Sequence, residues 1–218
     1  MQRQYDMFRF PQSSRLVSAY QKLIEKGCQP LIIDCGANIG LSALFLAKLF
    51  PRAIVYAVEP DENNFAMLKL NTASLGDRIV ALQGGIWHEN ANLRIINPES
   101  GSASFRVATT STNSNSDKVI RTYTIDEICT LAKVNSPLIV KVDIEEAQSN
   151  LFKNNTGWVS NNHLIMLELD DWLMPWEGTS RSFFSCVSRY PFDYLISGET
   201  IFCFRDFEEI PTFERMES

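Results

Sequence analysis

The sequence lacks three features, each of which would indicate a particular class of protein. It has no apolar run approaching the roughly 20 residues that a membrane-spanning helix needs. It also has no cluster of lysine and arginine, and its formal net charge of -6 disfavours contact with the phosphates of nucleic acid. Residues 1–10 alternate polar and aromatic types and do not form the apolar stretch of a secretion signal. We therefore expect a cytoplasmic protein with no nucleic-acid or membrane partner.

Cysteine and histidine are too sparse and too scattered for a zinc site. The five cysteines include no Cys-x-x-Cys pair, and the chain has only two histidines. An odd number of cysteines in mostly apolar surroundings predicts buried, reduced thiols, and it argues against a disulfide framework. The Gly-Lys-Ser/Thr end of a phosphate-binding loop is absent as well.

The chain does contain a repeated alternation of apolar strand and helix. Strands are predicted at Leu31–Cys35, Ala53–Val58, Ile79–Gln83, Leu138–Val142 and Leu164–Leu169, and helices at Arg15–Lys26, Ile39–Phe50 and Asp61–Leu75. Continuous apolar runs of this length are typical of strands that are covered on both faces. The alternation therefore predicts an α/β protein with a mostly parallel sheet. Residues 1–218 are expected to form one domain, with residues 1–30 as a helical lead-in.

Two segments depart from this alternation. Ala91–Val107 predicts a hairpin, because two alternating runs flank a turn that contains Pro98 and Gly101. Near the C-terminal end, Phe192–Ile196 and Thr200–Arg205 predict an antiparallel pair of strands.

The loop between the first strand and the helix that follows it is the first candidate site. It runs from Asp34 through Gly36 and Asn38 to Gly40, and open parallel sheets bind ligands where such loops follow the strand ends. A dinucleotide-binding loop counted from Gly36 would need glycine where the chain has Asn38 and Leu41, so that motif does not fit. An acidic residue before a tight glycine turn suits a cationic ligand without phosphate. A plain tight turn is the alternative.

Residues after the next two strands extend the candidate site. Glu59 follows the second strand at the distance at which an acidic residue binds ribose hydroxyls, and a solvated strand-end glutamate is the alternative. His88 follows the third strand and is a candidate base or a surface histidine. Trp87 could stack on an adenine or a substrate ring, or it could cover the core. His163 precedes its strand, which places it at the opposite end of the sheet.

Acidic residues follow two later strands. Asp143 and Glu145 come after Leu138–Val142, and strand alternation puts both on one side of the strand end. Two carboxylates at such an edge are costly unless they meet a cation, a proton or a substrate hydroxyl, and capping of a following helix is the alternative. Asp170 and Asp171 could join Asp143 in binding a divalent cation such as Mg²⁺, or they could be exposed loop acids.

With these residues in view, the sequence resembles the FkbM family of class I S-adenosylmethionine-dependent methyltransferases. The resemblance is carried by Leu31–Gly40 (LIIDCGANIG), Val58–Asp61 (VEPD), Arg121–Ile128 (RTYTIDEI), Leu138–Gln148 (LIVKVDIEEAQ) and the segment IMLELDDW. Glu146 and Gln148 stand where the family pattern has glycine and glutamate. The resemblance implies a Rossmann-like, doubly wound sheet of seven strands, parallel except for one C-terminal strand.

The resemblance also implies that S-adenosylmethionine binds over the ends of the first two strands. Asp34 and the loop at Gly36–Gly40 would hold its methionine portion, Glu59 its ribose hydroxyls, and Pro60 with Asp61 one side of its adenine. The predicted cofactor-binding residues are Asp34, Gly36, Ala37, Asn38, Gly40, Glu59, Pro60, Asp61, Gly85, Trp87 and Asp143.

Members of this family usually methylate oxygen on sugars or natural products, so we expect a small-molecule or glycan acceptor. A base must take the proton of the acceptor hydroxyl. Asp143 is predicted to be that base, or a ligand to an ion that acidifies the hydroxyl, with Glu145 as its support and His88 as the reserve candidate. The polar segment Ser100–Asp117 is predicted to face the acceptor.

Two other functions remain as alternatives. A binding module could retain the cofactor fold without catalysis, and the residues at Glu146 and Gln148 are compatible with that. A nicotinamide-dependent oxidoreductase could use a similar sheet, but the missing glycine motif argues against it. A homodimer is left open.

Overall fold

Strands and helices alternate along most of the chain, as the apolar runs predict. The computed structural model describes residues 7–95, 107–109, 119–144, 148–169, 171–172 and 174–206. The helices are α1 (Ser13–Glu25), α2 (Leu41–Leu49), α3 (Glu62–Thr72), α4 (Ile125–Ala132), α5 (Gln148–Leu151) and α6 (Arg181–Val187). The strands are β1 (Leu31–Cys35), β2 (Ile54–Glu59), β3 (Ile79–Gln83), β4 (Gly85–Ile86), β5 (Asn92–Ile95), β6 (Val107–Thr109), β7 (Val119–Tyr123), β8 (Ile139–Val142), β9 (Leu164–Glu168), β10 (Phe192–Ser197) and β11 (Thr200–Arg205).

Seven strands form the main sheet, in the order β10-β11-β9-β8-β1-β2-β3. The strands from β9 to β3 pair in parallel with their neighbours. Strand β11 runs antiparallel to both β9 and β10, so it is the one reversed strand. This topology confirms the expected Rossmann-like sheet of seven strands with one antiparallel C-terminal strand.

Helices cover both faces of this sheet. Every residue of β1 is buried, and successive side chains such as Ile32 and Ile33 point to opposite faces. On the face of Ile32 the core contains side chains from α1, α2 and α3, including Leu16, Phe45 and Leu68. On the face of Ile33 it contains side chains from α4, α5 and α6, including Ile128, Leu151 and Phe183. The sheet is therefore doubly wound.

Side chains fix the first turns of two helices that border the site region. Oδ1 of Asp61 accepts hydrogen bonds from the backbone N–H groups of Asn63 and Asn64 at 3.0 and 2.9 Å, which confirms Asp61 as the N-cap of α3. Oγ1 of Thr124 accepts from the N–H of Glu127 at 3.0 Å at the start of α4.

A second, smaller sheet lies beside the main one, in the order β4-β7-β5-β6. Of the hairpin predicted at Ala91–Val107, the first strand is present as β5, which pairs antiparallel with β6. Residues 96–106, which include the predicted turn and most of the predicted second strand, lie outside the described residues. The sequence did not predict β7, which pairs antiparallel with β5 and parallel with β4. Within the described ranges, no helix combines the length and the apolar character needed to cross a membrane.

Candidate functional site

The loop after β1 folds across the end of β2. Cys35 pairs with Val58 of β2 and with Val142 of β8, so three strand ends meet at one edge of the sheet. The N–H groups of Gly36 and Ala37 both donate to the carbonyl of Val58, at 3.0 and 2.9 Å. These bonds hold the loop in place over the carboxyl edge.

The glycines of this loop are required by the packing of the protein itself. Gly36 and Gly40 have φ of +79° and +86°, a region that other residues rarely adopt. A Cβ at Gly36 would overlap the carbonyl oxygen of Asp143, and a Cβ at Gly40 would lie 2.6 Å from Leu68. Asn38, between them, also has a positive φ of 49°. The loop therefore has a tight, defined path.

Glu59 is anchored between this loop and the start of α3. Its Oε2 accepts from the N–H of Asn38 at 2.8 Å, and its Oε1 accepts from the N–H of Asp61 at 2.9 Å. Burial raises the pKa of the Glu59 carboxyl, and the hydrogen bonds from the two backbone donors offset part of that effect. The side chain of Asn64 also donates to this carboxylate. Of the roughly four acceptor sites of a carboxylate, about one is then left for a ligand hydroxyl.

A buried lysine joins two of the predicted acids. Nζ of Lys141 lies 3.1 Å from Oδ1 of Asp34 and 3.1 Å from Oδ2 of Asp143. Burial lowers the pKa of Lys141, but the two carboxylates outweigh it and the net pKa is raised. Burial raises the pKa of Asp34, and Lys141 opposes this. Since its cation is at contact distance, we take Asp34 to be paired with a charged ammonium.

The side chain of Asp34 has no exposed surface in this arrangement. The resemblance implies that Asp34 helps to hold the methionine portion of the cofactor, and that contact stays a prediction. Asp143 is the partly open member, with 43% of its side chain exposed.

Trp87 and His88 lie alongside the end of β8, after Gly85 in β4. Trp87 is buried and packs with Ile120 and Ile144, the residue that follows Asp143. It therefore covers the core in this structure, and stacking on a ligand would require these neighbours to move. His88 is half-buried, with its ring centroid 5.5 Å from that of Trp87.

A sequence-family match covers the residues of this site. Residues 34–175 match the protein family described as "Methyltransferase FkbM domain". That range is well over half of the chain and contains the loop after β1, Glu59, Lys141 and Asp143. The chain belongs to the FkbM methyltransferase family.

The FkbM chain is also similar to a curated protein, the hexuronic acid methyltransferase AglP of Haloferax volcanii. The two are 24% identical over 137 residues, which make up 62% of this chain and 54% of AglP. The chain therefore spans about half the length of the curated relative that it matches.

Solved structures show a more distant likeness to the FkbM chain. The fibrillarin/Nop5p complex aligns with a TM-score of 0.46 and 18% identity, over 86% of this chain and 83% of that one. The SAH-bound methyltransferase PaMTH1 of Podospora anserina aligns with a TM-score of 0.46 and 13% identity, over 93% and 84% of the two chains.

Two of the predicted acids of this FkbM chain, Glu145 and Asp170, lie outside the described residues. Asp171 is half-buried. Among the residues that the structure does describe, no group of three or more histidine, cysteine, aspartate or glutamate side chains is arranged to hold a metal. A divalent cation therefore has no support from the described part of the site.

Lys141 is the functional candidate that sequence reasoning missed in this FkbM chain. A signal for it exists, because strand alternation puts Lys141 and Asp143 on the same side of β8. The β1–β8 register then pairs Asp34 directly with Lys141. A cation between two acids on neighbouring strands could have been expected once that register was assumed.

Proposed function

We propose that this protein is an S-adenosylmethionine-dependent methyltransferase that methylates a hydroxyl oxygen on a sugar or natural-product acceptor. Membership of the FkbM family supports methyl transfer. The observation that carries the cofactor assignment is the anchored carboxylate of Glu59, held by the N–H groups of Asn38 and Asp61 at the ends of β1 and β2.

The residues at this edge fit the chemical groups of that cofactor. Glu59 offers an acceptor for a ribose hydroxyl, and the adjacent loop has neither of the phosphate-binding glycine patterns. The negative charge of Asp143 at the same edge suits a cationic ligand. We place Gly36, Ala37, Asn38 and Gly40 around the methionine portion, with Pro60 and Asp61 beside the adenine. We include Gly85 and Trp87 in the same predicted contact set.

The reaction needs a positioned acceptor and a place for its proton. When bound, S-adenosylmethionine supplies an electrophilic methyl group whose sulfonium charge is lost on transfer. Asp143 accepts the proton of the acceptor hydroxyl, with Glu145 in support and His88 as the second candidate. Positioning carries much of the reduction of the barrier, and a base of this kind contributes about 10²–10⁴-fold.

The acceptor assignment rests on one curated relative. AglP is named as a hexuronic acid methyltransferase, which supports a sugar acceptor. The segment Ser100–Asp117, predicted to face the acceptor, lies outside the described residues except for 107–109 and stays a prediction.

Calorimetric titration tests the cofactor assignment. We expect the wild type to bind S-adenosylmethionine and S-adenosylhomocysteine, and Glu59→Ala to lose most of that affinity. Glu59→Gln keeps one acceptor oxygen and is expected to fall between them. Glu25→Ala, which removes an exposed carboxylate at the end of α1, is the matched control. A folded wild type that binds neither compound would contradict the proposal and favour a binding module for another ligand.

Asp143→Asn tests the proposed base. We expect turnover to fall by at least about 100-fold, because the amide cannot accept the proton. Cofactor affinity should fall much less, by about tenfold, the size of one charge-assisted hydrogen bond. Near-normal turnover by this variant would assign the proton to another residue.

A further inference from the structure

A buried ammonium joins the core of the sheet to the candidate site. The side chain of Lys141 is 6% exposed, and its Nζ contacts Asp34 on one side and Asp143 on the other. Side-chain exposure rises from 0% at Asp34 to 43% at Asp143. The three residues form a row of charges that is closed at its inner end and open to a ligand at its outer end.

Stability alone does not explain this row of charges. Removing a lysine and a carboxylate from water is costly, and a pair of apolar side chains of similar volume often stabilises a core at least as well. The neighbouring positions Ile33, Val140 and Val142 are fully buried and apolar. The charged pair is therefore best explained by what it does at its outer end, where Asp143 meets the edge of the sheet.

The main chain of Asp143 is fixed as firmly as its side chain. Its N–H donates to the carbonyl of Cys35 at 3.0 Å, and its own carbonyl packs against Gly36. Oδ2 is held by Lys141. With the backbone and one carboxylate oxygen held, few conformations remain for this side chain, which is what a preorganised site requires.

We propose that Lys141 is a positioning residue of the methyltransferase site, an inference that rests on the function proposed above. Asp34 anchors the ammonium of Lys141, and the ammonium holds Oδ2 of Asp143 at the strand edge. Oδ1 of Asp143 is then the atom left for the cofactor and the acceptor. Lys141 touches neither ligand and acts through Asp143.

The choice of variant follows from the charges. Replacing Lys141 alone would leave Asp34 buried without its cation, and a loss of folding would hide any loss of positioning. The double variant Asp34→Asn/Lys141→Met removes one negative and one positive charge, so the net charge beside the cofactor is unchanged. Asp34→Leu/Lys141→Met is a second, fully apolar version for use if the first does not fold.

Affinity for S-adenosylhomocysteine, measured by calorimetry, gives the first readout. The charge-balanced double variant and Asp143→Asn should each bind about tenfold more weakly than wild type. The triple variant should be no weaker than either, because both changes remove the same interaction. Lys48→Met, at an exposed lysine of α2, is the matched control and should bind as wild type does.

A crystal structure of the double variant without ligand gives the second readout. We expect the Asp143 carboxylate to leave its place beside position 141. An unchanged carboxylate, or wild-type affinity in the folded double variant, would show that the ion pair is structural only and would overturn the inference. Failure of the wild type to bind any cofactor would instead remove the proposed function, and the ligand-free crystal structure would still decide whether Lys141 positions Asp143.

Discussion

Gly36 directly follows β1, and there the end of the neighbouring strand β8 leaves no room for a side chain. Two separate constraints act there, a positive φ and the overlap that a Cβ would make with the carbonyl of Asp143. Two other glycines allow the effect of each constraint to be compared. Gly27 has a positive φ of +70° with open space around it, so it is subject to the first constraint only, and Gly157 has open space and no positive φ, so it is subject to neither.

Alanine at these three positions should therefore give three graded results. We expect Gly157→Ala to change the free energy of unfolding by less than about 0.5 kcal/mol and Gly27→Ala to cost about 1–2 kcal/mol from backbone strain. Gly36→Ala should cost more than Gly27→Ala, because β1 and β8 must also move apart. Urea unfolding of the three variants measures this order. Equal losses at Gly27 and Gly36 would mean that the overlap is relieved without cost.

His163, which precedes β9 at the end of the sheet opposite the site, should give the protein a pH-dependent stability. Burial lowers its pKa from 6.5 to about 4. The unfolded chain therefore binds a proton more readily between these values, so the folded state loses stability as pH falls from 6.5 to 4. The loss is up to about 3 kcal/mol.

Unfolding of His163→Gln across this pH range measures that contribution. The difference in stability between wild type and variant should change with pH only in the stated window. Glu59 acts in the opposite sense, since its raised pKa favours the folded state at lower pH, but it contributes equally to both proteins.

The role of a single residue could be predicted where it depends on neighbours in the sequence. It could not be predicted where it depends on which distant strands pair with each other. The N-cap role of Asp61 follows from residues within three positions of it. The contact between Asp34 and Lys141 depends on the register of strands that are about 100 residues apart. The sequence leaves Trp87 open to ligand stacking or to core covering. The structure packs it with Ile120 and Ile144, and its contact with a ligand stays a prediction.

At the scale of elements, the apolar runs predicted every strand of the main sheet to within a residue or two. Strands β1, β3 and β11 have the predicted bounds. For β1 and β11, which are buried along nearly their whole length, the reason is that a strand covered on both faces needs an uninterrupted apolar run. The second sheet was missed except for β5, the first strand of the predicted hairpin. Its strands are short, β4 having only two residues, and they are held by pairing that no local pattern reveals.

The segment after β9 contains two tryptophans whose side chains are exposed. Trp172 is 70% exposed and Trp176 is 99% exposed, whereas Trp158 is 5% exposed and packs against Phe152. We expect Trp172→Ala and Trp176→Ala to change the free energy of unfolding by less than about 0.5 kcal/mol, and Trp158→Ala to cost about 3–5 kcal/mol. Chemical denaturation checks this. A large loss at either exposed tryptophan would show that it is buried in solution.

At the scale of the whole molecule, the order of strands in space differs from their order in the chain. Strand β11 is the last described strand, yet it lies between β9 and β10. Among the described strands, β10 pairs only with β11. A chain that ends at Gly198 should therefore lose two strands from the sheet, not one.

Expression of that truncated chain beside the full chain tests this view. We expect it to unfold or aggregate, because the edge of β9 that pairs with Ile201 and Cys203 would be left open among apolar side chains. Recovery of a soluble, cooperatively unfolding protein would show that the other five strands of the main sheet are stable without β10 and β11.

The position of β11 also bears on how the protein is made. A ribosome delivers β9 and β10 before β11, the strand that separates them, so neither can pair with β11 until that strand has been made. The apolar edge of β9 that β11 later covers stays open during that interval, and a cell that produces this protein must keep it from aggregating. A ribosome stalled anywhere before Arg205 would release a chain whose sheet is unfinished on that side, and quality control would treat it as misfolded.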